Sequence, residues 1–179
     1  MTALLRNMQP ISERLVLLGW GSSEATTRLR KHDAITIDLA QKISDRGELS
    51  DEESEQLISA IKWVRGPLLH WFFENTTDWF RATIQVNAIG SIGTIYFAER
   101  TIQELVKNET KMKSIEGFDP GKMRGLPILV GPTREGPYRL IDGATRCCNI
   151  LRMPVATRPM EIDILLGVCP SVVTWHLWR

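Results

Sequence analysis

Hydrophobic and polar positions follow two different periods along this chain, and the change falls near Asp78. Before it, Leu57, Ile58, Ile61 and Val64 recur at spacings of three and four, which places them on one face of a helix. Ser50 followed by Asp51, Glu52 and Glu53 predicts the start of that helix. The serine side chain and the carboxylate three residues on can each accept from the other's backbone N–H in a capping box. Gly66-Pro67 ends this helix and opens the next, because glycine fits just past a helix end and proline at a first helical position. Leu68, Leu69, Trp71, Phe72 and Phe73 then load the new helix with apolar surface. An earlier helix is expected over about Ser23 to Ser44, with β-branched Ile35, Thr36 and Ile37 inside it. Residues 1–77 are therefore expected to form a helical region.

After Asp78 the period becomes two. Ala82, Ile84, Val86 and Ala88 alternate with Thr83, Gln85 and Asn87, the pattern of a half-buried strand that Gly90 and Gly93 interrupt. Ile95, Ala98, Ile102 and Leu105 predict a helix from about Thr94 to Asn108, and a charged loop with Gly117, Pro120 and Gly121 follows. The apolar runs Leu126 to Val130 and Tyr138 to Ile141 read as two antiparallel strands, since the seven residues between them carry the glycine and proline punctuation of a hairpin loop. A helix is expected from Asp142-Gly143 through Leu151, ended by Pro154, and Met160, Ile162, Ile164 and Leu166 alternate as a last strand. Pro170 opens a short terminal segment with Trp175 and Trp178. The fold class is thus α+β, with a small mixed sheet and flanking helices in residues 78–179 behind the helical region.

Composition adds boundaries to this outline. The chain has 179 residues, 43% of them apolar and 24% charged, which is ordinary for a globular protein. No stretch approaches the roughly 18 to 20 apolar residues of a membrane span, and Arg6, Glu13 and Arg14 interrupt what a signal peptide would need as an apolar core. A cytoplasmic location without a membrane partner is the expectation. Three cysteines, two of them adjacent at Cys147-Cys148, make a poor disulfide framework and point to reduced thiols. No cysteine and histidine grouping has the spacing of a zinc site. Residues 1–77 hold nine Lys and Arg against eleven Asp and Glu, a balance of −2, whereas residues 78–179 hold thirteen against ten, a balance of +3. That mild surplus suits a small phosphate-bearing ligand and falls short of the dense basic face of a dedicated nucleic-acid binder.

The segment Tyr138 to Arg146 gives that ligand a place. A strand running into a sharp glycine turn and directly into a helix presents backbone N–H groups at the positive end of the helix dipole, which attracts anions. Gly143 permits the turn, Ala144 is too small to block a ligand, Thr145 brings a hydroxyl, and the Arg146 fork can pair with phosphate oxygens. Asp142 beside them could cap the turn, hold Arg146, or help to bind a metal ion.

The order strand, helix, charged loop, Gly125-Leu126-Pro127-Ile128-Leu129-Val130, hairpin, Leu140-Ile141-Asp142-Gly143-Ala144-Thr145-Arg146, helix resembles the ParB/sulfiredoxin superfamily over about Phe80 to Val168. The resemblance implies that nucleotide phosphates lie on Gly143, Ala144, Thr145 and Arg146. Sulfiredoxins carry a reactive cysteine where this chain has Ala144, and partition proteins carry glycine-glutamate-arginine-arginine where it has Gly143 to Arg146, so both of those chemistries are disfavoured. Aspartate before glycine is nearest in pattern to the free serine kinases of the superfamily.

That likeness implies an ATP- or ADP-dependent phosphotransferase with Mg2+ as cofactor and a small hydroxyl compound as acceptor. Phosphoryl transfer to a hydroxyl needs a carboxylate that accepts its proton. Glu99, within Tyr96 to Arg100, matches the region where the kinases carry a catalytic glutamate, and Arg100 beside it could contact phosphate or substrate. Asp142 is the second candidate catalytic residue. The alternative is a DNA-binding or nuclease-like protein of the ParB type, which would make nucleic acid the partner. A homodimer is compatible with either reading.

Overall fold

The computed structural model describes residues 4–24, 33–45, 47–64, 66–95, 101–108, 112, 114–123 and 125–178. They fall into two compact units. One joins a strand near the amino terminus to nearly everything beyond Thr77, and the other comprises residues 11–76 with 124–126.

The second unit is helical. Its elements are α1 (Glu13–Glu24), α2 (Ala34–Ser44), α3 (Asp51–Val64) and α4 (Gly66–Glu74). Of the helix expected from Ser23 to Ser44, Ser23 and Glu24 close α1, residues 25–32 lie outside the described residues, and α2 starts at Ala34, where Asp33 caps it: its carboxylate accepts from the Thr36 N–H at 2.8 Å. The capping box on α3 forms as the sequence predicts, with the Ser50 N–H donating to Glu53 Oε2 at 2.7 Å and the Glu53 N–H donating to Ser50 Oγ at 3.2 Å. The Ser50 backbone N–H first, and the Lys42 ammonium bonded to the same carboxylate next, hold the Glu53 carboxyl below its ordinary range. Leu57, Ile58 and Ile61 are buried on the apolar face, together with Val16, Leu17 and Trp20 of α1 and Phe72 of α4. Gly21 lets α1 approach α3 closely, since an added Cβ would stand 3.1 Å from Leu57.

The first unit is built on a six-stranded sheet in the order β1-β2-β6-β4-β5-β3. Its strands are β1 (Leu5–Pro10), β2 (Asp78–Gln85), β3 (Gly93–Thr94), β4 (Ile128–Gly131), β5 (Arg139–Asp142) and β6 (Glu161–Val168). β2 pairs antiparallel with β1 and β6, β4 pairs antiparallel with β5, and the contacts β4 to β6 and β3 to β5 are parallel. The hairpin of β4 and β5 stands where the two apolar runs place it, and the final strand β6 where alternation does.

Three sequence expectations are corrected here. Leu5–Pro10 is an edge strand, so the first residues do not belong with a helical region. The strand expected to run to Ala88 stops at Gln85, and Val86 begins the four-residue helix α5 (Val86–Ile89), its N–H taken by the Met160 carbonyl at 2.9 Å. Of the helix expected from Thr94 to Asn108, α6 occupies Ile102–Lys107, while Thr94 lies in β3 and residues 96–100 lie outside the described residues. A capping box of Thr101 with Glu104 fixes where α6 starts.

One face of the sheet carries Phe80, Ala82, Ile84, Leu129, Leu140, Ile162, Ile164 and Leu166 into a common core with Val86 and Ile89 of α5, Ile102 and Leu105 of α6, and Cys147, Cys148 and Ile150 of the helix α7 (Ala144–Arg152). On β1, β2 and β6 the opposite face bears cross-strand ion pairs, Arg6 to Glu161 at 3.1 Å and Arg81 to Asp163. That face is mixed, since Trp79 of β2 and Leu165 of β6 are buried on it beside the ion pairs, and α7 follows directly on the end of β5 through Gly143.

Candidate functional site

Residues 139–152 form a continuous strand, turn and helix. β5 ends at Asp142, Gly143 serves as N-cap with φ +93°, and α7 begins at Ala144. Two independent facts require glycine at position 143. The backbone is left-handed, and an added Cβ would stand 2.9 Å from the Cα of Pro127. The N-cap supplies no side-chain acceptor to the helix. The first rung of the α7 ladder is the Cys147 N–H donating to the Gly143 carbonyl at 3.0 Å, so the amides of Ala144, Thr145 and Arg146 precede it in the first turn.

The Arg146 side chain folds back over this turn. Its Nη2 donates to Asp142 Oδ2 at 2.6 Å, and the same nitrogen lies 3.1 Å from the position that a Cβ on Gly143 would take. Both side chains are mostly covered, at 14% exposure for Arg146 and 12% for Asp142. Asp142 thus holds the guanidinium in place. Thr145 is exposed, and its hydroxyl donates to the sulfur of Met112 at 3.7 Å.

Of the residues that the sequence nominates, Asp142, Gly143, Ala144, Thr145 and Arg146 therefore share one turn. Glu99 and Arg100 lie outside the described residues. Among the described residues, no group of three or more His, Cys, Asp or Glu side chains could hold a metal ion. No helix of the described residues is long and apolar enough to cross a membrane.

The adjacent cysteines are structural. Cys147 and Cys148 are 2% and 0% exposed, and burial pushes the Cys147 thiol up to about 12 and the Cys148 thiol up to about 11. In each case a nearby arginine, Arg146 or Arg152, opposes the shift and burial outweighs it. Thiolates are not populated near neutral pH at such values, which removes the nucleophile that redox chemistry needs.

Sequence reasoning passed over Asn149 and Arg152. Asn149 is 3% exposed, and its amide bridges the Thr145 carbonyl and the Ile115 N–H. Arg152 donates to the carbonyls of Val106 and Met112. The signal was present in the helical pattern, because an asparagine flanked by Cys147, Cys148 and Ile150 sits among core positions and a buried amide must find partners.

No protein-family model, no curated protein and no solved structure matches this chain.

Proposed function

We propose that the turn from Asp142 to Arg146 binds the phosphates of a nucleotide, and that the protein transfers a phosphoryl group from ATP or ADP to a small hydroxyl compound. The observation that carries the reading is the guanidinium of Arg146, held above the first turn of α7 by Asp142. A cation at the positive end of a helix dipole is poorly placed for the helix alone and well placed for an anion arriving there. The fold proposed is that of the ParB/sulfiredoxin superfamily, supported by the succession of β4, β5, turn and α7 on a mixed sheet.

In this reading the first-turn amides and Arg146 hold the terminal phosphates, and the Thr145 hydroxyl turns from Met112 toward a phosphate oxygen. The acceptor hydroxyl oxygen attacks the terminal phosphorus, the bond to the bridging oxygen breaks, and the nucleotide leaves one phosphate shorter. Glu99 would take the hydroxyl proton. Magnesium, when bound, neutralises charge on the phosphates. The described residues offer no cluster to hold it unaided, so it would arrive on the nucleotide with Asp142 as the nearest carboxylate of the turn.

Duplex DNA is the weaker ligand. The arginines on the polar face of β1 and β2 are matched by Glu161 and Asp163, which leaves no unopposed basic stripe along those strands.

Calorimetric titration with ATP, ADP and CTP, each with magnesium, tests the reading. Saturable binding that weakens in Arg146→Ala supports it, and absence of binding for all three nucleotides ends it. Transfer of labelled phosphate to hydroxy amino acids and related alcohols tests the reaction itself.

A further inference from the structure

Among the described residues after α6, Met112 and residues 114–119 lie outside any helix or strand. Met112, though, is only 5% exposed, and its neighbourhood is secured by two side chains one turn apart on α7. Asn149 Nδ2 donates to the Thr145 carbonyl at 2.8 Å while Asn149 Oδ1 accepts from the Ile115 N–H at 2.7 Å. Arg152 donates to the Val106 carbonyl at 2.9 Å and to the Met112 carbonyl. Backbone groups at Val106, Met112 and Ile115 thus find partners in α7 side chains. Contact also runs the other way, since the Met112 sulfur accepts the Thr145 hydroxyl at 3.7 Å.

Resting on the phosphate reading above, we propose that Asn149 is a positioning residue for the phosphate turn, and that it acts through Thr145. Its amide ties the Thr145 backbone to Ile115, so Met112 and Ile115 stand as a fixed wall beside the first turn of α7. That wall determines where the Thr145 hydroxyl points. When a polyphosphate enters, the hydroxyl exchanges a weak bond to sulfur for a charge-assisted bond to oxygen without the wall moving. Arg152 supports the same wall from the next turn of the helix.

The experiment combines two readouts. Hydrogen exchange at the Ile115 amide reports the wall in the ligand-free protein. Titration with ATP and magnesium reports the site. Asn149→Leu conserves volume and removes both bonds; it should accelerate Ile115 exchange and weaken ATP binding on the order of tenfold. Adding Thr145→Val to Asn149→Leu should cost little further affinity, because the two residues act in series. Arg152→Gln provides a second route to the same loosened wall should Asn149→Leu fail to fold.

Faster Ile115 exchange with unchanged ATP affinity overturns the positioning role while leaving the phosphate reading intact. Additive losses from Asn149→Leu and Thr145→Val overturn the action through Thr145. A wild-type protein that binds no ATP, yet shows an Ile115 amide protected by Asn149, removes the phosphate reading and this inference with it.

Discussion

Arg146 and Asp142 form an ion pair of 2.6 Å that straddles Gly143, with the carboxylate at the end of β5 and the guanidinium returning from the first turn of α7. The two partners are not equivalent. A carboxylate is welcome at a helix amino terminus and a cation is not, so the pair leans on Asp142.

From this asymmetry the two alanine variants should differ. Asp142→Ala leaves a mostly covered guanidinium facing the helix dipole and should lower stability by about 1–3 kcal/mol. Arg146→Ala leaves a carboxylate where the dipole favours it and should cost less. Urea denaturation of both gives the order directly, and equal losses would contradict it. Nucleotide binding should show the reverse order, with Arg146→Ala the more damaging.

Gly143→Ala should be among the most disruptive single-methyl additions in the protein. The left-handed backbone at φ +93° and the Pro127 Cα at 2.9 Å both oppose a Cβ. Backbone strain alone costs about 1–3 kcal/mol, and the clash adds to it. A melting temperature within a degree or two of wild type would show that Pro127 and the start of α7 can separate without cost.

Gly167 faces Trp79 across the β2 and β6 pairing, and an added Cβ would lie 2.8 Å from the indole ring. Gly167→Ala should therefore destabilise by about 1–3 kcal/mol through overpacking. Combining it with Trp79→Leu should relieve part of the crowding, so the double variant should fall short of the sum of the single losses. Additive losses measured by denaturation would deny the contact.

Burial of Cys147 and Cys148 has a pH signature. Their thiols ionise at about 12 and about 11 in the folded chain against an ordinary value of 9.0, so the folded state retains protons that the unfolded state releases. Tyr138 acts in the same direction, since burial, aided by Glu135, pushes its phenol up to about 12 from 10.0. These groups contribute stability that is fully present below the unfolded values and is lost as pH rises toward 11 and 12. Urea midpoints should hold steady to about pH 8 and fall progressively above it. Thiol reagents at neutral pH should leave both cysteines unmodified until the chain is unfolded. Rapid native labelling at Cys147 would contradict its burial.

Elements with local signals were legible in the sequence. The capping box of Ser50 and Glu53, the β4 and β5 hairpin, the turn at Gly143 and the alternation of β6 each depend on residues within a few positions of one another. The geometry of the proposed site is local too, since Asp142, Gly143, Thr145 and Arg146 are neighbours in sequence and remain neighbours in space.

What the local pattern did not contain was decided by partners far along the chain. Leu5–Pro10 has no alternation of its own and becomes a strand because β2 supplies its ladder. Val86 and Ala88 continue the alternation of β2, but the Met160 carbonyl takes the Val86 amide and the chain turns into a helix. Asn149 looks like one more polar residue of α7 until Ile115, brought against it from 34 positions away, explains its burial. Periodicity fixes which face of an element is apolar. Only the closed core determines which distant backbone groups that element must satisfy, because a buried N–H or C=O has to find its partner wherever the fold brings one.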